Sequence, residues 1–131
     1  MLHFEIITPE KILISEDIDT FEAPGVTGEF QILDGHTPFL TGLKIGHVNF
    51  TKNGNKTYIS ITGGFCEIKQ DKVVILAHTA EKASEIDKAR ANEAKKRAEV
   101  RLEAKDNPSI DEERARLALL RAINRLKLVE M

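Results

Sequence analysis

The sequence lacks tryptophan and has one cysteine, Cys66, among its 131 residues. A single cysteine excludes an internal disulfide and any cysteine-based metal cluster, so nothing indicates an oxidising compartment, and we interpret Cys66 as a small strand residue. The longest clean apolar run, residues 73–77, is far too short to span a bilayer, and the N-terminus has no basic segment followed by an apolar run. Any work at a membrane is therefore expected to depend on a partner.

Glycine and aromatic residues are absent after position 65, and arginine is absent before position 90. Residues 1–80 carry six lysines and ten acidic residues, a net charge of −4, whereas residues 81–131 carry thirteen basic and eleven acidic residues, a net charge of +2. The overall charge of −2 argues against a general nucleic-acid binder, which usually has a strongly basic face. This break in composition predicts a β domain over residues 1–80 and a helical domain over residues 81–131.

Short strands joined by close turns are predicted throughout the first domain. Leu2, Phe4 and Ile6 alternate with polar positions, and residues 12–14 and 30–32 repeat that alternation, which is typical of half-buried strands. Many short strands of this kind predict an antiparallel β sandwich, a flattened barrel of short strands, as the N-terminal fold.

Two turns and a glycine pair mark the connections between these strands. Asn53-Gly54 is a strong hairpin signal because both residues tolerate positive φ, and Gln70-Asp71 predicts a second turn. Gly63-Gly64 is expected to open a new strand. The sheet is expected to end near Thr79.

The second domain is predicted to be an antiparallel two-helix hairpin. Ser84 and Asp87 match a capping box at the first helix start, and Ser109 with Glu112 marks a second start. Between the two helices, Asp106-Asn107-Pro108 breaks the helical pattern.

An alanine-rich seam is expected to join the two helices. Burial of apolar area contributes roughly 25 cal/mol per Å², so small alanine side chains fasten the helices only weakly. The hairpin is therefore predicted to be a bistable element, docked in one condition and extended in another, while a static hairpin that adds solubility is the alternative. The seam positions are Ala91, Ala94, Ala98 and Leu102 on the first helix, and Ala115, Ala118 or Leu119, Ala122 and Leu126 on the second.

The most specific stretch of the sequence is residues 23–46, which read APGVTGEFQILDGHTPFLTGLKIG. This run resembles the epsilon subunit family of F-type ATP synthases, whose members carry an APG-x-x-GEFG-x-LPGHAPLLT-x-LK-x-G run here. The resemblance covers essentially the whole chain, including its two-part layout. Three residues depart from the family pattern, Gln31 where glycine is usual, Asp34 where proline is usual and His78 where aspartate is common.

The resemblance implies a subunit of the rotor, peripheral at the cytoplasmic face of the bacterial plasma membrane. Its N-terminal sandwich would bind the γ subunit and contact the c-ring, and would thereby couple proton flow to ATP synthesis. The chain would be associated with the membrane only through the complex. Glu29 and His36 match family positions in loops that face the c-ring. From the residues alone, both lie in a polar loop with a proline-fixed exit, where an exposed histidine is ordinarily a surface residue.

A second motif lies at the head of the first helix and matches the I/L-D-x-x-R-A pattern through which many bacterial epsilon subunits bind ATP. Asp87 and Arg90 are i, i+3 neighbours, and guanidinium groups suit phosphate oxygens. A capping role for Asp87 and solvated arginines are the alternative. The resemblance implies ATP as a regulatory ligand, with no cofactor required. Its residues by resemblance are Glu81, Ile86, Asp87, Arg90, Ala91, Arg121 and Arg125.

No enzymatic site is predicted in the sequence. There is no G-x-x-x-x-G-K loop, the four histidines show no metal-ligand spacing, and no serine or cysteine lies in a nucleophile motif. The alternative hypothesis is a stand-alone nucleotide-sensing or adapter module without enzymatic activity. In the family reading, the extended tail inhibits ATP hydrolysis by the α and β subunits of the catalytic head. The basic residues facing acidic loops of β would be Arg114, Arg116, Arg121 and Arg125.

Overall fold

The computed structural model of the chain describes residues 2–26, 28–32, 38–104 and 106–130, with residues 29–32 described as backbone. It divides into two compact units, Met1–Lys82 and Ala83–Met131. The first unit holds the strands and the second holds the helices, which confirms the predicted fold class.

Eight strands in the first unit form one hydrogen-bonded sheet that folds into a β sandwich. The strand order is β2-β1-β7-β6-β5-β3-β4, and β8 pairs with β6. Neighbouring strands are antiparallel except for β1 and β7, which pair in parallel. The strands are β1 (Leu2–Ile7), β2 (Ile12–Ile18), β3 (Thr20–Gly25), β4 (Gly28–Ile32), β5 (Phe39–Lys52), β6 (Asn55–Lys69), β7 (Lys72–Ala77) and β8 (Ala80–Lys82).

The core of the first unit is built by alternate residues of these strands. Along β1, buried and half-buried residues alternate strictly, as the sequence pattern predicts. The Phe4 ring lies 5.5 Å from that of Phe21 and 5.2 Å from that of Phe50, measured between centroids. Aromatic pairs at this spacing and tilt stabilise a core beyond the area that they bury.

Both predicted turns are confirmed by the backbone. Asn53 and Gly54 have φ values of 51° and 80°, and they connect β5 to β6. Gln70 and Asp71 have φ values of 52° and 60°, and they connect β6 to β7. Two consecutive residues with positive φ give the turn whose twist matches the flanking strands.

The prediction that Gly63-Gly64 opens a strand is wrong, because β6 runs through both glycines. Along the chain, β6 pairs with β8 from Ile59 to Ile61 and then with β7 from Gly64 onward. Their φ values of 106° and 149° allow this change of partner. The sheet also continues beyond Thr79, since β8 follows it.

The second unit contains a short 3₁₀ turn (Ala83–Glu85), α1 (Lys88–Glu103) and α2 (Glu112–Val129). The capping residues are Asp87 and Asp111, so the predicted starts at Ser84 and Ser109 are wrong. Each aspartate has extended backbone, and its carboxylate accepts a hydrogen bond at 3.1 Å from the backbone N–H three residues later. Aspartate caps at least as well as serine, and Ser84 is instead held in the 3₁₀ turn.

α1 and α2 pack along each other through the predicted alanine seam. Ala91 and Ala98 on α1 are buried, as are Ala115 and Ala122 on α2, each pair seven residues apart. A seven-residue repeat keeps one face of each helix turned to its partner. Among the described residues of this unit, Leu128 is the large side chain that is fully buried, so the seam is composed mainly of methyl groups.

Cys66 offers a test of the core of the first unit. Burial raises the pKa of its thiol from 9.0 to about 12. An unfolded thiol ionises as pH rises through 9, whereas the folded one stays protonated, so we expect the free energy of unfolding to decrease between pH 9 and pH 12 and to be unaffected by this thiol at neutral pH. A thiol reagent should modify the folded chain only as fast as the domain opens, and modification at the rate of a free thiol would contradict the burial.

Candidate binding surfaces

Large apolar side chains lie exposed in a line across the outer face of the sheet in the first unit. Phe65 and Leu76 face each other on β6 and β7 and are 59% and 53% exposed. Directly opposed residues of neighbouring strands project from the same face, so the register assigns further members to this line. We call the line the apolar row; it consists of Ile12, Ile7, Leu76, Phe65, Gly42 and Val26.

The ends of the apolar row depend on two local irregularities. A shift of register between Ile6 and Ile7 places Ile12 beside Ile7, where it is 62% exposed. At the other end, Gly42 leaves room for Val26, whose backbone N–H donates to the Gly42 carbonyl at 2.9 Å. The bulge at Ile6–Ile7 and the glycine at position 42 therefore complete a surface that runs across five strands and the turn after β3.

A shallow cleft of about 330 Å³ opens beside the centre of the apolar row. The residues that line it include Ile7, Pro9, Phe65, Leu76 and His78. The lining is predominantly apolar, which suits a large apolar side chain of a partner.

The opposite end of the same face is charged. On β1, His3 and Glu5 precede Ile7 at two-residue spacing, so all three project from one face. Nδ1 of His3 lies 3.0 Å from Asp17 Oδ1 and Nε2 lies 3.2 Å from Glu5 Oε1, while Nζ of Lys72 lies 3.4 Å from that same Glu5 oxygen. The outer face thus has an apolar region bordered by charged residues, the usual arrangement of a protein interface.

The sequence analysis missed the apolar row, although the sequence contains its signal. β7 reads Lys-Val-Val-Ile-Leu-Ala, in which Val73 and Ile75 fill the core while Leu76 falls on the outer phase. Phe65 is likewise out of phase with Cys66 and Ile68. Apolar residues on both phases of a strand indicate that both faces are to be covered.

In the second unit, the motif predicted to bind nucleotide lies at the start of α1. The exposed Asp87 caps the helix by accepting from the Arg90 N–H, which brings these two residues together. Ala91 is buried in the seam, and Ile86 is half-buried. One carboxylate oxygen serves the cap, so the other remains able to accept a hydrogen bond.

The other predicted residues lie on different elements. Arg121 and Arg125 are half-buried on α2, one turn apart, and the 3₁₀ turn at the start of the unit also packs against α2. Glu81 belongs to the first unit, where it pairs with Ser60 across β8 and β6. The nucleotide site as a whole stays a prediction.

The remaining predicted contacts are less completely described. Arg114 and Arg116 are exposed on the first turns of α2, and Arg116 forms ion pairs with Glu112 at 3.5 Å and Glu113 at 3.1 Å. The c-ring prediction falls outside the described side chains, because Glu29 is described as backbone and His36 lies outside the described residues. Across residues 2–26, 28–32, 38–104 and 106–130, no cluster of metal-binding side chains occurs and no helix is long and apolar enough to cross a membrane.

A β sandwich with a broad apolar surface, followed by a charged helical hairpin, defines a class of protein that acts by binding other chains. Two family models match this chain, the beta-sandwich domain of the ATP synthase delta/epsilon chain over residues 1–83 and its long alpha-helix domain over residues 84–130. The chain belongs to the ATP synthase delta/epsilon chain family, and it is a non-catalytic subunit of that enzyme.

Relatives in several bacteria resemble the chain over nearly its full length. The ATP synthase epsilon chain of Desulforamulus reducens is 47% identical over 126 residues, covering 96% of this chain and 95% of that protein. The epsilon chain of Bacillus cytotoxicus is 44% identical, covering 96% and 94%. A chain in the structure of the Euglena gracilis mitochondrial ATP synthase, containing OSCP, F1 and the c-ring, shares the fold with a TM-score of 0.72 and 20% identity, covering 98% of this chain and 77% of that chain.

Proposed function

We propose that the chain joins the rotor of an ATP synthase by binding the γ subunit through the apolar row, and that it thereby couples proton flow to ATP synthesis. The apolar row is the observation that carries this proposal, because large exposed apolar surfaces bordered by charges mark protein interfaces. Through γ and the c-ring the chain would lie peripherally at the cytoplasmic face of the bacterial plasma membrane. Glu29 and His36 remain the residues that the resemblance assigns to the c-ring contact.

The two ends of the outer face would contribute differently to γ binding. Phe65 and Leu76 would supply most of the affinity, since a few central apolar anchors dominate interface energetics. Charged residues such as Glu5 and Lys72 would mainly fix orientation and accelerate association, an effect that salt screens.

The helical hairpin would regulate ATP hydrolysis in this proposal. Its methyl-rich seam buries little apolar area per residue, so α1 and α2 separate at a modest cost. Once extended, α2 would present Arg114, Arg116, Arg121 and Arg125 to acidic loops of the β subunits. Arg116 would leave two exposed ion pairs, and such pairs contribute only about 0–1 kcal/mol each.

ATP would oppose this extension by binding the folded hairpin. A ligand that binds one of two states stabilises that state by RT ln(1 + [L]/Kd), so abundant ATP would keep the hairpin folded and scarce ATP would favour inhibition. The Arg90 side chain at the start of α1 and the Arg121 and Arg125 side chains on α2 would provide guanidinium groups for the phosphates.

Asp87→Asn separates the capping role of Asp87 from nucleotide binding. Asparagine caps a helix as well as aspartate, so the helix content should stay unchanged, whereas Asp87→Ala should destabilise α1 by about 1 kcal/mol. We expect Asp87→Asn to weaken ATP binding about tenfold, the loss of one charge-assisted hydrogen bond, measured by calorimetry on the full chain. Glu99→Gln, which removes the same charge from an exposed position about three turns further along α1, is the control; equal ATP affinities of the two variants would contradict the assignment.

Copurification with γ tests the main proposal. The full chain, produced together with a tagged γ subunit, should be recovered with it in equal amounts and should dissociate slowly. Recovery of γ alone from cells that contain the folded chain would overturn the proposal.

A further inference from the structure

The loop end of the helical hairpin contains a cavity to which none of the predicted functions assigns a ligand. It measures about 340 Å³ and lies between the last turn of α1 and the first turn of α2. We call it the tip cavity; its lining residues are Arg101, Ser109, Ile110, Asp111, Arg114 and Ala115. Arg101 comes from α1 and Arg114 from α2, so one ligand in the cavity would contact both helices.

Among the described residues, the two guanidinium groups of the tip cavity have no ion-pair partner. The nearest acidic residues of α2 are engaged elsewhere, since Glu112 and Glu113 both pair with Arg116. Two like charges that line one cavity repel each other, and an anion between them removes that repulsion. Asp111 is the one carboxylate in the lining, so the two guanidinium groups outnumber it.

Polar groups of Asp111 and Ser109, at the start of α2, already form hydrogen bonds within the protein. Asp111 accepts a hydrogen bond at 3.1 Å from the Arg114 backbone N–H. Ser109 is also engaged, because its backbone N–H and its hydroxyl donate to Oδ1 of Asn107 at 3.0 and 2.8 Å. Among the side chains that line the cavity, the donors left for a ligand are the two guanidinium forks, whose planar geometry matches the oxygens of a phosphate group.

We propose that the tip cavity binds a phosphate-like oxyanion, which ties the end of α1 to the start of α2. The anion is inorganic phosphate or a phosphate group of a nucleotide, since both present the same oxygens. It binds only while the two helices lie side by side, so it stabilises the folded hairpin by mass action. This effect is independent of γ binding and of the motif around Asp87, which lies at the opposite end of α1.

The test is a titration of the full chain with inorganic phosphate at constant ionic strength, followed by amide NMR. The backbone signals of residues 109–114 and the Arg101 side-chain signal should shift together and saturate. Arg101→Gln and Arg114→Gln should each raise the dissociation constant about tenfold, because each removes a charge-assisted hydrogen bond. Arg97→Gln, an exposed arginine one turn earlier on α1 that does not line the cavity, should leave it unchanged.

Two further arms identify the source of the anion and exclude general screening. Titration with ATP should shift the tip signals at lower concentration than phosphate if a nucleotide is the ligand, and at equal or higher concentration if free phosphate is. Sodium chloride over the same range of ionic strength should produce no saturable shift. The proposal is overturned if phosphate produces no saturable shift in the native chain, or if Arg97→Gln and Arg101→Gln respond equally.

Discussion

Leu76→Glu is expected to weaken binding to γ by at least about 100-fold. The side chain lies at the centre of the apolar row, between Ile7 and Phe65, and a buried unpaired carboxylate there would cost at least about 3 kcal/mol. Leu76 is 53% exposed in the free chain, so the substitution should leave the fold intact, which circular dichroism would check. The measurement is the dissociation constant of the complex with γ.

Val100→Glu is the matched control for Leu76→Glu. Val100 is also apolar and is 63% exposed, but it lies on α1 in the second unit. The Val100→Glu variant should therefore bind γ with the same affinity as the native chain. Native affinity of Leu76→Glu, or equal losses in both variants, would show that the apolar row is not the contact surface.

Gly64→Ala is expected to destabilise the first unit by about 3–5 kcal/mol, a large part of the roughly 5–15 kcal/mol that keeps a typical domain folded. A Cβ at this position would collide with the carbonyl oxygen of Leu76 and would lie 2.9 Å from the Cα of Ala77. Both obstacles are backbone atoms of β7, so no side chain can rotate away to make room. The φ of 149° adds strain for any residue with a side chain.

Gly54→Ala separates the two causes of that destabilisation. Gly54 also has a positive φ, 80°, but a Cβ there would meet no atom within 4 Å. The free energy of unfolding should therefore fall by only about 1 kcal/mol, the cost of the backbone strain. Urea unfolding of both variants gives the comparison, and equal losses would mean that the close approach of β6 to β7 does not matter.

The sequence predicted the layout of the fold because its signals are local. Alternation along β1, the Asn53-Gly54 hairpin and the alanine repeat of the helices each depend on residues close in the chain. The caps were misplaced because Ser84 and Asp87 are both good capping residues, and the choice between them depends on where the 3₁₀ turn ends. The passage of β6 through Gly63 depends on β7 and β8, which are distant in sequence.

The candidate surfaces differ in how far the sequence indicated them. The motif around Asp87 is contiguous, so the sequence placed it near the start of the first helix, although the cap was predicted at Ser84 and is Asp87. The apolar row was not recognised, because its members come from six separate segments and meet only through strand register. The tip cavity similarly joins Arg101 and Arg114, which the loop between the helices brings together.

The most direct test of the account is the rate of ATP hydrolysis by a reconstituted α, β and γ head, measured at low and high ATP with the full chain or with a chain that ends at Lys82. The first unit has its own core, so the shortened chain should still bind γ. The account predicts that only the full chain slows hydrolysis and that ATP relieves the inhibition. Equal rates with both chains, each shown to be bound to γ, would contradict a regulatory hairpin.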